Sequence, residues 1–361
     1  MGKVAFFVSP HGFGHAARTC AVIAELLRQR PETHFHLFTE VPQWFFAESL
    51  DDHFTFHETA SDVGLVQDSP LVEDLGRTIE RLDRAPFRDP VVIAGLGARL
   101  VKLGCSLVIA DISPLGLVVA AACGLPSVLI ENFTWDWIYG HYADAPPELR
   151  RHGFEMASVF SRADLRIQTR PVCEPVAGAV TVSPVARQSR LQRDEVRRRL
   201  NVPEDEPMVL ISMGGVRWDY GPLSALERQD RFWVVVPGGA TKIERRGRLL
   251  LLPFHTDFYH PDLVTASDVV VGKLGYSTVA EAYRSGAAFV YVARSRFPES
   301  PVLGRFVERH MRGVQIEEEA LNSGGWLSEA GWLLDGTRRS PNVPNGAEEA
   351  AAEILGRFTL T

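Results

Sequence analysis

Two segments of this sequence carry residues whose types and spacing could do chemistry. The first is Ser9-Pro10-His11-Gly12-Phe13-Gly14-His15, with Arg18 one helical turn further on. Gly12 and Gly14 let the backbone turn sharply and approach a ligand, and a helix beginning here offers free N–H groups to an anion. A histidine is the natural base for activating a hydroxyl near neutral pH, and His11 and His15 flank the turn. Gly12-x-Gly14-x-x-Ala17 also fits the dinucleotide fingerprint in its alanine form, with Glu40 where a ribose-binding acid would stand. The plain alternative is a tight turn with a solvated His15. The second segment is Gly272-Lys273-Leu274-Gly275-Tyr276-Ser277-Thr278-Val279-Ala280-Glu281. Gly272 and Gly275 free its backbone, Ser277 and Thr278 are placed to cap a helix, and Lys273 adds positive charge where N–H donors would meet a phosphate. Two readings of Glu281 stand side by side. It closes a capping box with Thr278, or it accepts hydrogen bonds from the two hydroxyls of a nucleotide ribose while Lys273 faces the diphosphate.

Lesser candidates lie elsewhere. Ser212-Met213-Gly214-Gly215 ends a strand and fits either under a diphosphate or in a simple turn. Asn132-Phe133-Thr134-Trp135-Asp136-Trp137-Ile138-Tyr139 gathers aromatic side chains around Asp136, as a stacking site for a sugar or acceptor ring or as a lid of the core. Phe254-His255 follows a strand and suits a nucleotide base or packing. His34 and His36 share one strand face with no third ligand in sight, so no metal is expected. The arginines between 187 and 199 read as a solvated helix face. His15, His11 and Asp136 are thus the candidate catalytic residues.

The elements that must position these residues alternate. Apolar runs at Lys3–Ser9, Phe35–Thr39, Phe54–His57, Leu107–Asp111 and Ser127–Glu131 predict strands, with helices over Ala16–Arg30 and Leu115–Cys123 between them. Ala16, Cys20, Ile23 and Leu27 form one helical stripe. The second half repeats the plan, with strands expected at Met208–Met213, Phe232–Val236, Leu249–Leu252, Asp268–Val271 and Phe289–Val292. Such alternation implies parallel sheets with helices on both faces. The expected organisation is an N-terminal Rossmann-like, acceptor-side domain over 1–184, a C-terminal donor domain over 185–345, and a terminal helix over 346–361 packing back on the first. Ligands of such sheets bind where strand C-termini meet helix N-termini, here expected in a cleft between the domains.

Length and composition agree. At roughly 150 residues per domain, 361 residues make about two. With 38 basic and 45 acidic residues the net charge is −7, the wrong sign for a nucleic-acid binder. Cys20, Cys105, Cys123 and Cys173 form no C-x-x-C pair, so a reducing, cytoplasmic setting is expected. The apolar start Val4–Val8 is too short for a signal peptide, Phe6 breaks a myristoylation pattern, and Leu115–Ile130 is too short to span a bilayer.

The order and content of these motifs resemble a known family. His11-Gly12-Phe13-Gly14-His15-Ala16-Ala17-Arg18, the 132–139 stretch and the 272–282 stretch, followed more weakly by Arg296-Phe297-Pro298-Glu299-Ser300-Pro301, are similar to the N-terminal half of plant L-arabinokinases and their bacterial stand-alone relatives. The resemblance covers about residues 3–335. A more distant likeness is to the GlcNAc transferase of peptidoglycan synthesis, which shares the Gly-x-Gly-His loop and a basic residue ahead of the ribose-binding glutamate. The resemblance implies an α/β, GT-B fold of two Rossmann-like doubly wound domains facing a cleft, and a metal-independent nucleotide-sugar site. It points to Lys273, Ser277, Thr278 and Glu281 at the donor, with Gly275 and Tyr276 between them, and to His15 at the reacting centre. The kinase half of the arabinokinases is missing, so sugar kinase activity is not implied. Lys273 stands where retaining GT-B enzymes often place a glutamate, which tilts the expectation to inversion.

The expected activity is therefore transfer of a sugar from a nucleotide-diphosphate sugar, a UDP-sugar first among them, to an acceptor hydroxyl, with no added cofactor. A nucleotide-sugar hydrolase, like that of the pseudaminic acid pathway, is the alternative. A non-catalytic nucleotide-sugar binding module and a nicotinamide oxidoreductase complete the set.

Overall fold

The first strand shows why the chain folds as it does. In β1 (Lys3–Val8), Val4, Phe6 and Val8 enter one apolar cluster while Ala5 and Phe7 enter another. A strand buried on both faces is the mark of a parallel sheet covered by helices on each side. The computed structural model describes residues 2–69, 72–214, 223–338 and 341–360. They divide into two compact units: Met1–Ala186 with Arg296–Glu299 and Pro344–Thr361, and Arg187–Ser295 with Ser300–Val343.

In the first unit β1 is joined by β2 (His34–Thr39), β3 (Phe54–Glu58), the hairpin β4 (Val66–Ser69) and β5 (Val72–Asp74), β6 (Leu107–Asp111), β7 (Ser127–Glu131), β8 (Leu165–Thr169) and β9 (Val180–Val182). The described sheet runs β3-β2-β1-β6-β7-β8-β9, all parallel. The order reverses between β1 and β6, the switch point at which such sheets bind ligands. There Val8 pairs with Asp111, so the loop after β1 and the carboxylate ending β6 come together. The helix Phe13–Gln29 follows, with Gly12 at its N-cap in the left-handed region at φ 76°. It begins three residues before the expected start, because the glycine turn itself is the helix entry.

The second unit contains β10 (Met208–Ser212), β11 (Trp233–Pro237), β12 (Glu244–Arg246), β13 (Leu249–Leu252), β14 (Val269–Lys273), β15 (Ala288–Val292) and β16 (Gly313–Gln315). Its order is β12-β13-β11-β10-β14-β15-β16, parallel except for β12 against β13. The long apolar runs are found as strands within a residue or two of expectation. The hairpin, β8, β9, β12 and β16 were not foreseen, since all are short or carry charged and polar residues.

The C-terminal helix Gly346–Arg357 buries Ala347, Ala350, Ala351 and Ile354 in the first unit's core. Gly346 is required there, because a Cβ would lie 1.9 Å from the Ser183 carbonyl oxygen. Asn345 pairs with both backbone groups of Ala186, its Nδ2 donating at 2.7 Å and its Oδ1 accepting at 3.2 Å. No helix among the described residues is long and apolar enough to cross a membrane.

Candidate functional site

The glycine turn of the first unit delivers His15 and Arg18 to the end of β6. His15 Nδ1 lies 2.9 Å from Asp111 Oδ1. Arg18 forks onto the same carboxylate, Nε to Oδ2 at 2.8 Å and Nη2 to Oδ1 at 2.5 Å. Its Nη1 donates to Asn132 Oδ1 at 2.8 Å and reaches Thr169 Oγ1 at 3.4 Å. Asn132 Nδ2 in turn donates to Glu299 Oε1 at 2.7 Å. His15 is 7% exposed, while Arg18, Asp111 and Asn132 are each 1% exposed. Burial raises the Asp111 carboxyl, but the Arg18 charge and the hydrogen bonds from Arg18 and His15 outweigh it and leave it below the usual range. With Asp111 ionised, its carboxylate is the acceptor for a proton on His15 Nδ1, a tautomer in which Nε2 is the basic nitrogen of the ring.

Asp111 was not among the sequence candidates. Its one signal was its place as the last residue of a buried apolar strand, where an acid is out of character. Arg18, expected beside an anionic ligand, is instead spent on this buried carboxylate. His11 packs edge-on against Trp135 at 5.1 Å and alongside Phe297 at 6.3 Å. Phe133 and Trp135, considered above as stacking platforms, are 5% and 0% exposed and form core with Tyr139. Trp135 Nε1 donates to Asp62, a fully buried carboxyl that burial pushes up to about 7. Asp136 sits in the first turn of the helix Trp135–His141, its Oδ1 sealed from solvent without a hydrogen-bond partner.

In the second unit Gly272 is forced by close approach, since a Cβ would fall 1.8 Å from the Ser212 carbonyl oxygen on β10. The helix Tyr276–Ser285 follows β14 with Gly275 at its N-cap and no side-chain cap. The capping box is thereby overturned: Thr278 lies inside the helix, and Glu281 reaches elsewhere. Glu281 Oε1 accepts from Arg187 Nε at 2.9 Å and Oε2 from His260 Nδ1 at 3.0 Å. His260 Nε2 meets Ser212 Oγ at 2.9 Å. Burial raises the Glu281 carboxyl, but Arg187 and His260 prevail and hold it at about 2, so it stays an acceptor throughout the physiological range. Lys273 and Ser277 are half-buried at the end of β14 and the start of the helix, while Tyr276 and Thr278 are buried. Gly214 adopts φ 67° just after β10; Gly215 lies outside the described residues. Phe254 packs edge-on to His255 and against Gly238 after β11.

Of the six arginines expected on a solvated face, Arg190, Arg198 and Arg199 are exposed and the other three are structural. Arg187 holds Glu281, Arg193 and Arg197 clamp Asp268, and Arg197 is 1% exposed.

The chain as a whole is similar to known proteins. No family model matches the chain. It is 28% identical over 358 residues to an L-arabinokinase of Arabidopsis thaliana, covering 97% of this chain and 34% of that protein. The chain thus spans about a third of that relative's length. It is 27% identical over 269 residues to an uncharacterized glycosyltransferase of Methanopyrus kandleri, covering 70% of this chain and 76% of the relative. Among solved structures, MurG of Acinetobacter baumannii superposes with a TM-score of 0.57 at 16% identity, over 99% of this chain and 100% of that one. UGT89C1 of Arabidopsis thaliana, solved with UDP, gives a TM-score of 0.58 at 13% identity over 98% of each chain. The fold is GT-B. The similarity to the arabinokinases expected from the motifs is borne out along nearly the whole chain.

Proposed function

We propose that this GT-B chain is a glycosyltransferase that takes a nucleotide-diphosphate sugar, a UDP-sugar first among donors, and inverts the anomeric centre without a metal. The observation that carries the reading is the 2.9 Å contact of His15 Nδ1 with a buried, ionised Asp111, which leaves Nε2 free to accept a proton. In this reaction the acceptor hydroxyl gives its proton to His15 Nε2 as its oxygen attacks the anomeric carbon. The bond from that carbon to the diphosphate oxygen breaks on the opposite face. The departing negative charge is met by Lys273 and by the free N–H groups at the start of the helix Tyr276–Ser285. Glu281, ionised and anchored, is the acceptor for ribose hydroxyls. Four cysteines without disulfides fit a reducing cytoplasm. The glycosyltransferase names among its relatives support the class of reaction, and the UDP in one structural neighbour supports the first choice of nucleotide.

The test is a thermal-shift panel of UDP, GDP, dTDP, CDP and their sugars, followed by turnover on the donor that binds. Ligand at 100 times its Kd stabilises by about 2.7 kcal/mol, a readily seen shift. His15→Ala lowers turnover about 10²–10⁴-fold with donor binding kept. Glu281→Ala weakens nucleoside diphosphate binding. A flat panel overturns the reading. Release of free sugar with no acceptor present, at the full rate, makes the chain a hydrolase instead.

A further inference from the structure

In the second unit Ser212, His260 and Glu281 stand in line. Ser212 ends β10, where it pairs with Gly272, the neighbour of Lys273 on β14. Its Oγ lies 2.9 Å from His260 Nε2, and His260 Nδ1 lies 3.0 Å from Glu281 Oε2. Ser212 and Glu281 are each 4% exposed, while the His260 side chain is 29% exposed. Resting on the reading of this unit as a nucleoside-diphosphate site, we propose that His260 is a positioning residue that takes up a proton as the diphosphate binds. The proton on the ring turns the Ser212 hydroxyl from a donor to His260 into a donor to a phosphate oxygen.

The argument is one of donors and acceptors. Glu281 is ionised and can only accept, so the proton in its contact with His260 belongs to Nδ1. While the ring is neutral, Nε2 has no proton, and Ser212 donates its hydroxyl hydrogen to it. Ser212 then offers a ligand only lone pairs, the wrong face for a phosphate oxygen. Once the ring is charged, Nε2–H donates to Ser212 Oγ and the hydroxyl hydrogen is released toward the phosphate. An anion at Ser212 therefore selects the charged ring, and the Glu281 carboxylate stabilises that charge where it already stands. β10, the helix Arg193–Leu200 and the helix Tyr276–Ser285 pack against the helix His260–Ala266. Of their charged groups Glu281 meets the ring, whereas Arg193 and Arg197, which clamp Asp268, bind the carbonyls of Ala266 and Ser267 at the far end. Arg187 and Arg190 lie over Tyr259 at 5.3 and 4.4 Å, Arg199 lies over Phe258, and Asp262 accepts from the Arg190 backbone N–H. His255 and Asp257 precede Tyr259 in the same loop. All of these are common to the variants below.

The experiment is titration calorimetry of the full chain at pH 7.5, in buffers of different ionisation enthalpy. The probe is whichever of UDP, GDP, dTDP and CDP binds most tightly. Its terminal phosphate, which titrates at about 6, is nearly all ionised there and is the same for every variant. The parent takes up roughly half a proton or more per nucleotide, and its Kd weakens by up to about tenfold per pH unit from pH 6.5 to 8. His260→Gln, whose amide can donate to Ser212 at every pH, takes up none, and its Kd changes by less than about twofold over that range. Ser212→Ala binds more weakly and also loses the uptake, because the hydroxyl that links ring and phosphate is gone. Should H260Q melt early, S212A, which lacks a single oxygen, decides the matter. No uptake in the parent, or uptake as large as the parent's in either folded variant, overturns the proposal and leaves the nucleotide site standing. A parent that binds none of the four nucleotides overturns the reading of the site, and this inference with it.

Discussion

Asp111 holds two partners with opposite needs. Arg18 requires its full charge, and His15 requires an acceptor that fixes one tautomer. Both are met only because the carboxylate is buried, ionised and held at both oxygens. Asp111→Asn keeps the shape but strands the Arg18 charge. Breaking one side of a buried pair costs about 3–5 kcal/mol, and the wrong tautomer of His15 would disable the proposed base. The expected outcome is a clear drop in the urea midpoint together with a loss of turnover as large as that of His15→Ala. A variant as stable and active as the parent would refute the dyad. At this scale the sequence was informative about His15, whose place after a glycine turn is a local fact. It was silent about Asp111, 96 residues away in the chain.

At the scale of elements, β2 and β3 place His36 Nδ1 3.1 Å from His57 Nε2, with Arg99 Nη2 2.7 Å from the other His57 nitrogen. Burial, then the neighbouring positive groups, lowers both rings to about 4 from the ordinary 6.5. Between pH 6.5 and 4 the unfolded chain therefore binds protons that the folded chain refuses, and stability falls as the pH falls through that window. Asp62, raised to about 7, and Glu131, also raised by burial, work in the opposite direction, while His34 and His152, both lowered by burial, add to the effect of the two rings. Urea unfolding at pH 7, 5.5 and 4.5 should show a falling midpoint, at most roughly 1.4 kcal/mol per pH unit for each ring. His57→Phe, which keeps the stack on Phe38, should flatten the slope, and an equally steep slope in that variant would remove these rings as the cause. Strands such as β1 and β6 were legible because apolar β-branched and aromatic runs have one comfortable place in a covered sheet. β9 was not, because three residues beside prolines acquire strand geometry only by pairing with β8.

At the scale of the whole chain, the last helix belongs to the first unit although its sequence follows the second. Its alanines fill that core, and Asn345 ties its start to Ala186. Asn345→Ala should cost about 1–3 kcal/mol, from a lost cap and buried backbone groups left unpaired. Removal of residues 344–361 should expose the apolar face of the helix Phe13–Gln29 and unfold the first unit. Circular dichroism of the truncated chain losing helix well beyond the deleted residues would bear this out; a melt like the parent's would refute it.

The sequence by itself determined the alternation of strand and helix and the two glycine turns, and it singled out His15 and Glu281 as candidates. Each of these follows from neighbours within about ten residues, where periodicity and backbone freedom act directly. Only the tertiary structure decided what those residues touch: Asp111 under His15, Glu299 behind Asn132, and Arg187 with His260 on Glu281 in place of a capping box. Buried charges choose partners through space, wherever the fold brings opposite charge and a hydrogen-bond donor together out of water, and no local pattern in the chain records that choice.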